Sequence, residues 1–141
     1  MSGARPPGAK GIDQQLAEAR SRITRLSPAE AARRVAGGAV LVDIRPQSQR
    51  EADGEVPGAL VVERNHLEWR FDPESDSRLP EATGYDLDVV VLCQEGYTSS
   101  LAADALRSLG LHRAADVDGG FRAWAADGQV TTHSGAGGPG A

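Results

Sequence analysis

The sequence predicts an α/β domain: a three-layer fold with a parallel sheet of four or five strands and helices on both faces. Three observations carry this. Short β-branched apolar runs, bounded by Gly, Pro or charged residues, read as buried strands at 39–44 and 89–92. The segments between them have helical spacing and recognisable caps. The two kinds alternate from residue 28 to 126, and such alternation builds a parallel sheet covered on both sides.

Composition sets the frame. The chain has 141 residues, enough for one domain with one core of moderate size. At 40% hydrophobic and 25% charged residues it belongs with soluble globular chains, not disordered ones. No apolar run approaches the roughly 20 residues of a membrane span. Met1 to Gly11 lacks the apolar stretch of a signal peptide. The single cysteine excludes a disulfide framework and a Cys-rich metal site, and no cofactor is implied. The expected compartment is a reducing cytoplasm.

The net charge of −5 is uneven. Residues 1–34 hold seven Lys/Arg against three Asp/Glu, and the remainder eight against seventeen. An acidic body argues against nucleic acid as a partner of the globular part.

Residues 1–11, rich in Gly, Pro and Ala, are expected to be disordered. Residues 12–26 place Leu16, Ala19, Ile23 and Leu26 on one helical face, which predicts a basic leading helix. Residues 27–130 form the domain. Ser27-Pro28-Ala29-Glu30 starts a helix: Ser27 caps, Pro28 suits the first turn, and Glu30 completes a capping box. Gly37-Gly38 ends it.

The strand through Val40-Leu41-Val42 runs into Asp43-Ile44-Arg45-Pro46. Charged residues at the carboxyl end of a buried parallel strand stand where ligands bind in open α/β sheets. For Asp43 a structural ion pair is the preferred reading, and Arg45 is a candidate to shape a pocket. Residues 47–53 are helix-like, 54–59 a turn and 60–62 a short strand. Residues 63–71 read as helical turns with Leu67 and Phe71 facing inward. His66 stands alone, without metal-ligand company, and reads as a surface or hydrogen-bonded histidine rather than a catalytic one. Residues 72–86 connect across the surface.

The chain is organised around residues 89–100. Val89-Val90-Val91-Leu92 runs straight into Cys93, then comes a short polar segment, and a helix begins near Ser99. That helix ends near Leu109-Gly110. Residues 113–118 read as a short strand, and Gly119-Gly120 opens a last helix with Phe121 and Trp124 on one face. Residues 131–141 are expected to be a disordered Gly-rich tail.

Cys93 thus lies at the end of a strand and the mouth of a helix. Free N–H groups there favour negative charge, and the thiolate is the nucleophile. Gly96 frees the loop from side-chain limits. Tyr97, Thr98, Ser99 and Ser100 offer hydroxyls to an anion on the sulfur. Two chemistries fit. Cleavage of a phosphate ester needs a strong cation on the equatorial oxygens, and a C-x5-R signature places Arg at position 99. This chain has Ser99. Sulfur transfer through a persulfide does not strictly need that arginine.

Four stretches together carry a resemblance. They are Leu41-Val42-Asp43-Ile44-Arg45, Glu55-Val56-Pro57-Gly58-Ala59, Val91 to Ser99 around Cys93, and Val117-Asp118-Gly119-Gly120-Phe121-Arg122-Ala123-Trp124. In this order, over roughly residues 27–130, the chain resembles the rhodanese family of sulfurtransferases. The resemblance implies a single rhodanese domain with Cys93 as persulfide carrier. It implies a six-residue active loop of Cys93, Gln94, Glu95, Gly96, Tyr97 and Thr98, with Ser99 next to it, a length associated with sulfur rather than phosphate. The implied donor is thiosulfate or a persulfide on a protein or small thiol, and the acceptor is cyanide or a thiol.

Glu55 stands where family members often carry His, and Thr98 where many carry Arg or Ser. Glu95 puts a negative charge inside the loop and is expected to repel thiosulfate. Arg122, on the last helix, is a candidate to shape the pocket, although a structural salt bridge or cap is the preferred reading for it and for Asp118. The alternative function is a non-catalytic rhodanese-like module whose basic N-terminal helix recruits a partner.

Overall fold

Val89–Leu92 form the centre of the sheet because all four side chains are apolar and none is exposed. Alternate residues point to opposite faces of a strand. Val89, Val91 and Cys93 join one core cluster, while Val90 and Leu92 join the other. The structure, a computed structural model, describes residues 3–133. Its strands are β1 (Thr24–Leu26), β2 (Val40–Asp43), β3 (Leu60–Val61), β4 (Val89–Leu92) and β5 (Ala115–Val117). All pair in parallel, in the order β1-β5-β4-β2-β3.

The helices are α1 (Ile12–Arg22), α2 (Pro28–Ala36), α3 (Gln47–Asp53), α4 (Leu67–Phe71), α5 (Thr98–Ser108) and α6 (Gly120–Ala126). Leu67 and Phe71 of α4 and Ala102, Ala103 and Leu106 of α5 cover one face of the sheet. Ala31 of α2 and Phe121 and Trp124 of α6 cover the other. The result is the three-layer α/β arrangement with five strands. Among the described residues no helix is long and apolar enough to cross a membrane.

The capping box at Ser27 is complete. Ser27 Oγ accepts the Glu30 N–H at 3.2 Å, and Glu30 Oε1 accepts the Ser27 N–H at 2.8 Å. Ser27→Ala is expected to lower stability by about 1 kcal/mol, read as a lower denaturant midpoint with an unchanged slope. An unchanged midpoint contradicts the cap.

Two expectations need correction. The leading helix stops at Arg22, and Thr24–Leu26 form β1, an edge strand paired with β5. Helical spacing placed Ile23 and Leu26 on one face, but pairing with Ala115–Val117, distant in sequence, draws this stretch into the sheet. The disorder expected from residue 131 does not hold for residues 131–133. Thr131 is buried, the Thr132 N–H reaches Glu55 O at 2.7 Å, and the Glu55 N–H reaches Thr132 Oγ1 at 2.9 Å. Met1, Ser2 and residues 134–141 lie outside the described residues. Residues 3–11 form no helix or strand, yet Lys10 pairs with Glu18 at 2.8 Å.

Candidate active site

The strand order locates the site. The chain leaves β2 for β3 on one side and leaves β4 for β5 on the other. The loops at the carboxyl ends of these adjacent strands therefore diverge and leave a crevice, the usual ligand position in open α/β sheets. Cys93 follows β4 and Arg45 follows β2 at this point. A cavity of about 310 Å³ opens there, with Cys93, Gln94, Glu95, Tyr97 and Arg45 among its lining residues.

The thiol is held by backbone. Cys93 Sγ accepts the Gly96 N–H at 3.2 Å and the Ser99 N–H at 3.3 Å. The turn that brings both amides to one atom needs Gly96 at φ +88°. A Cβ there would also stand 2.7 Å from the Gly119 nitrogen. The helix starts at Thr98, so the sixth position of the loop is also the first residue of α5.

Of the four hydroxyl residues, Tyr97 and Thr98 line the cavity, whereas Ser99 and Ser100 turn away from it. Tyr97 and Thr98 are exposed. Ser99 and Ser100 are buried and donate to Asp116 Oδ2 at 2.8 and 2.9 Å. Asp116 is a fully buried carboxylate that needs donors, and it draws both serines away from the cavity.

Asp43 and Arg45 form a buried pair, each 1% exposed. Arg45 Nε and Nη2 donate to the Asp43 carboxylate at 3.0 and 2.8 Å. Nη2 also reaches Gly54 O at 2.9 Å, and Nη1 reaches Gln94 Oε1 at 3.1 Å. The guanidinium lies 3.9 Å from the centre of the Phe121 ring. Gln94 in turn donates to Asp53. Arg45 thus ties the end of β2 to the loop after β4, and most of its donors are already engaged.

The first turn of α6 docks on the same loop. The Phe121 N–H reaches Cys93 O at 2.7 Å, and the Arg122 N–H reaches Gln94 O at 3.1 Å. This approach requires Gly120, whose missing Cβ would sit 2.5 Å from Cys93 O. On the solvent side Arg122 pairs with Glu95 at 3.0 Å, both side chains more than half exposed.

Sequence reasoning missed the other side of the loop. Gly96 O accepts Arg20 Nη2 and Arg25 Nη2, each at 2.8 Å. Arg25 also pairs with Asp116 at 3.1 Å and Asp118 at 3.0 Å. Burial works against the Arg25 charge, but hydrogen bonds and charge from Asp116 and Asp118 outweigh it and hold the guanidinium above its usual range. The available signal was the β-branched pair Ile23-Thr24 just before the Ser27 cap. Among the described residues no group of three or more His, Cys, Asp or Glu could hold a metal ion.

A family model for the rhodanese-like domain matches residues 27–127. The chain belongs to the rhodanese-like domain family. The thiosulfate sulfurtransferase GlpE of Pseudomonas entomophila is 35% identical over 104 residues, covering 74% of this chain and 86% of that protein. Among solved structures, a protein of unknown function from Rhodopseudomonas palustris, described as a possible tyrosine phosphatase, aligns with a TM-score of 0.80. It is 35% identical and covers 92% of this chain and 99% of that one. A rhodanese-like domain from Anabaena gives a TM-score of 0.55 at 26% identity, covering 67% of this chain and 98% of that one. The rhodanese-like domain so identified includes all four stretches that carry the sequence resemblance.

Proposed function

We propose that this rhodanese-like domain is a sulfurtransferase that carries a sulfane sulfur on Cys93. One observation supports this above the others: two backbone N–H groups converge on Sγ at the floor of a cavity placed at the switch point of the sheet. Amides so placed stabilise an anionic sulfur without a cation.

In the first half-reaction the Cys93 thiolate attacks the outer sulfur of thiosulfate. A sulfur–sulfur bond forms at Sγ and the bond to the sulfonate sulfur breaks, releasing sulfite. In the second, cyanide or a thiolate attacks the terminal sulfur. Thiocyanate or a new persulfide leaves, and the Cys93 thiolate returns. A persulfide on a protein or small thiol serves as donor by the same exchange. Neither half-reaction requires a metal or cofactor. Gln94, Glu95, Gly96, Tyr97 and Thr98 surround the transferred atom in this reading, with Ser99 supplying its N–H. Arg45 and Asp43 fix the cavity wall.

The phosphatase reading finds less support. Position 99 is occupied by a buried serine bonded to Asp116, not by a guanidinium facing the cavity. The test is thiocyanate formation from thiosulfate and cyanide, run beside hydrolysis of p-nitrophenyl phosphate. The expected result is thiocyanate formation that Cys93→Ser abolishes, with no phosphate ester cleavage. Cysteine-dependent phosphate release with no thiocyanate would overturn the assignment. Neither activity would favour the non-catalytic binding module.

Glu95 tunes the donor in this account. Its carboxylate lies beside the cavity but is paired with Arg122 in solvent, where an ion pair is screened and weak. Glu95→Gln is expected to raise kcat/KM for thiosulfate about two- to fivefold at low salt, fading as ionic strength rises. Unchanged thiosulfate kinetics at low salt would remove Glu95 from donor selection.

A further inference from the structure

We propose that Arg20 and Arg25 are positioning residues: together they hold the Gly96–Tyr97 peptide and so aim the loop amides at the Cys93 sulfur. Both lie ahead of residues 27–127, the part matched by the family model. The proposal rests on the sulfur-transfer reading for its kinetic arm only.

The geometry centres on one carbonyl. Gly96 O receives a guanidinium N–H from Arg20 at 2.8 Å and another from Arg25 at 2.8 Å. A carbonyl oxygen has two lone pairs, and both meet a charged donor here. Gly96 has no side chain to resist rotation, and its φ of +88° is one of several it could adopt. Something outside the loop must therefore fix the peptide on its carboxyl side. The two arginines do so from behind.

The consequence reaches the cavity through the peptide plane. Among the described residues every peptide is trans, and in a trans peptide the N–H points opposite to the C=O. With Gly96 O turned toward the arginines, the Tyr97 N–H is turned away from them. Among the described residues it has no acceptor, and Tyr97 lines the Cys93 cavity. Two charges on the carbonyl polarise this peptide and strengthen its N–H as a donor. The same constraint fixes Gly96, whose own N–H donates to Sγ.

Each arginine is itself anchored. Arg25 spans Asp116 and Asp118, and Asp116 holds Ser99 and Ser100 at the start of α5. Arg20 Nε donates to Ser100 Oγ at 3.0 Å, and its guanidinium lies 5.6 Å from the Tyr97 ring centre. Arg22, two residues from Arg20, bridges to Asp104 through Nε and Nη2, at 2.9 and 2.7 Å, and docks α1 on α5. The leading helix thus delivers Arg20 to the loop.

Removing Arg25 strands the buried Asp116 charge and endangers folding, so Arg20 carries the test. Arg20→Gln, Arg20→Lys and Arg22→Gln are compared in the full chain. Arg22→Gln weakens helix docking without touching the loop and serves as the control for stability. The first readout is amide hydrogen exchange over residues 93–100. The second is the rate of sulfur loading onto Cys93 at saturating thiosulfate, set against the KM for thiosulfate.

Arg20→Gln is expected to speed exchange in this segment about tenfold. Loading should slow about tenfold, with KM nearly unchanged, because misplaced donors cost the reacting geometry. Arg20→Lys should recover part of both, and Arg22→Gln, which loosens the helix but keeps the Arg20 hydrogen bonds, should change each by less than about twofold. Exchange that matches Arg22→Gln overturns the proposal, as does faster exchange with an unchanged loading rate. If the wild-type protein loads no sulfur, the sulfur-transfer reading fails and the exchange comparison alone decides the clamp.

Discussion

Arg45→Met is expected to lower folding stability by about 3–5 kcal/mol, because it leaves a buried carboxylate without its cation. Asp43 is 1% exposed and takes three of the guanidinium's contacts. The same change frees Gly54 O and Gln94 Oε1, which ties the loss at β2 to the loop after β4. Removing both charges together is gentler. An Asp43→Leu, Arg45→Met double variant should be more stable than Arg45→Met alone, since no unpaired charge remains. Urea denaturation of the three proteins checks this. A single variant within about 1 kcal/mol of wild type would mean that water or another cation satisfies Asp43.

Gly120→Ala should damage the site while leaving the nucleophile itself unchanged. The added methyl carbon would lie 2.5 Å from Cys93 O and 2.7 Å from the Gln94 carbonyl carbon. Neither is the end of a flexible side chain, so α6 must retreat or the Cys93 loop must move. Gly120 also sits at φ +63°, which costs a non-glycine residue about 1–2 kcal/mol. Gly128→Ala separates the two effects, since Gly128 has φ +82° with nothing within 4 Å. Both variants should show that backbone cost, but only Gly120→Ala should also lose sulfur loading, by about a hundredfold. Equal loading by the two variants would show that α6 docking does not set the loop.

The fold was legible where local pattern and tertiary role agree. Val89–Leu92 read as a doubly buried strand from four apolar residues in a row, and the structure buries all four. Ser27 to Glu30 read as a capping box, which depends only on neighbours in sequence. β1 was not legible, because a three-residue edge strand has no period of its own. Its partner β5 comes from the far end of the chain. The spacing of Ile23 and Leu26 fits a helix equally well, and the sheet decides.

The site divides along the same line. Cys93 and Gly96 were visible as a strand end, a turn and a helix start. The roles of Arg20, Arg25 and Asp116 were not, since all three act through contacts between segments some 70 to 90 residues apart in sequence. From sequence alone Ser99 and Ser100 are candidate ligands of an anion, because they come soon after the cysteine. Their hydroxyls turn instead to Asp116, whose burial no local pattern reveals. The sign of Glu95 was plain from sequence, but its pairing with Arg122 across to α6 was not.

Intact mass of the purified protein tests the central claim most directly. The protein is incubated with thiosulfate, and separately with a small-thiol persulfide, beside Cys93→Ser. The expected result is a gain of one sulfur, about 32 Da, on the wild type with at least one donor, removed by cyanide and absent from the variant. No gain from either donor, or a gain that persists in Cys93→Ser, would contradict it.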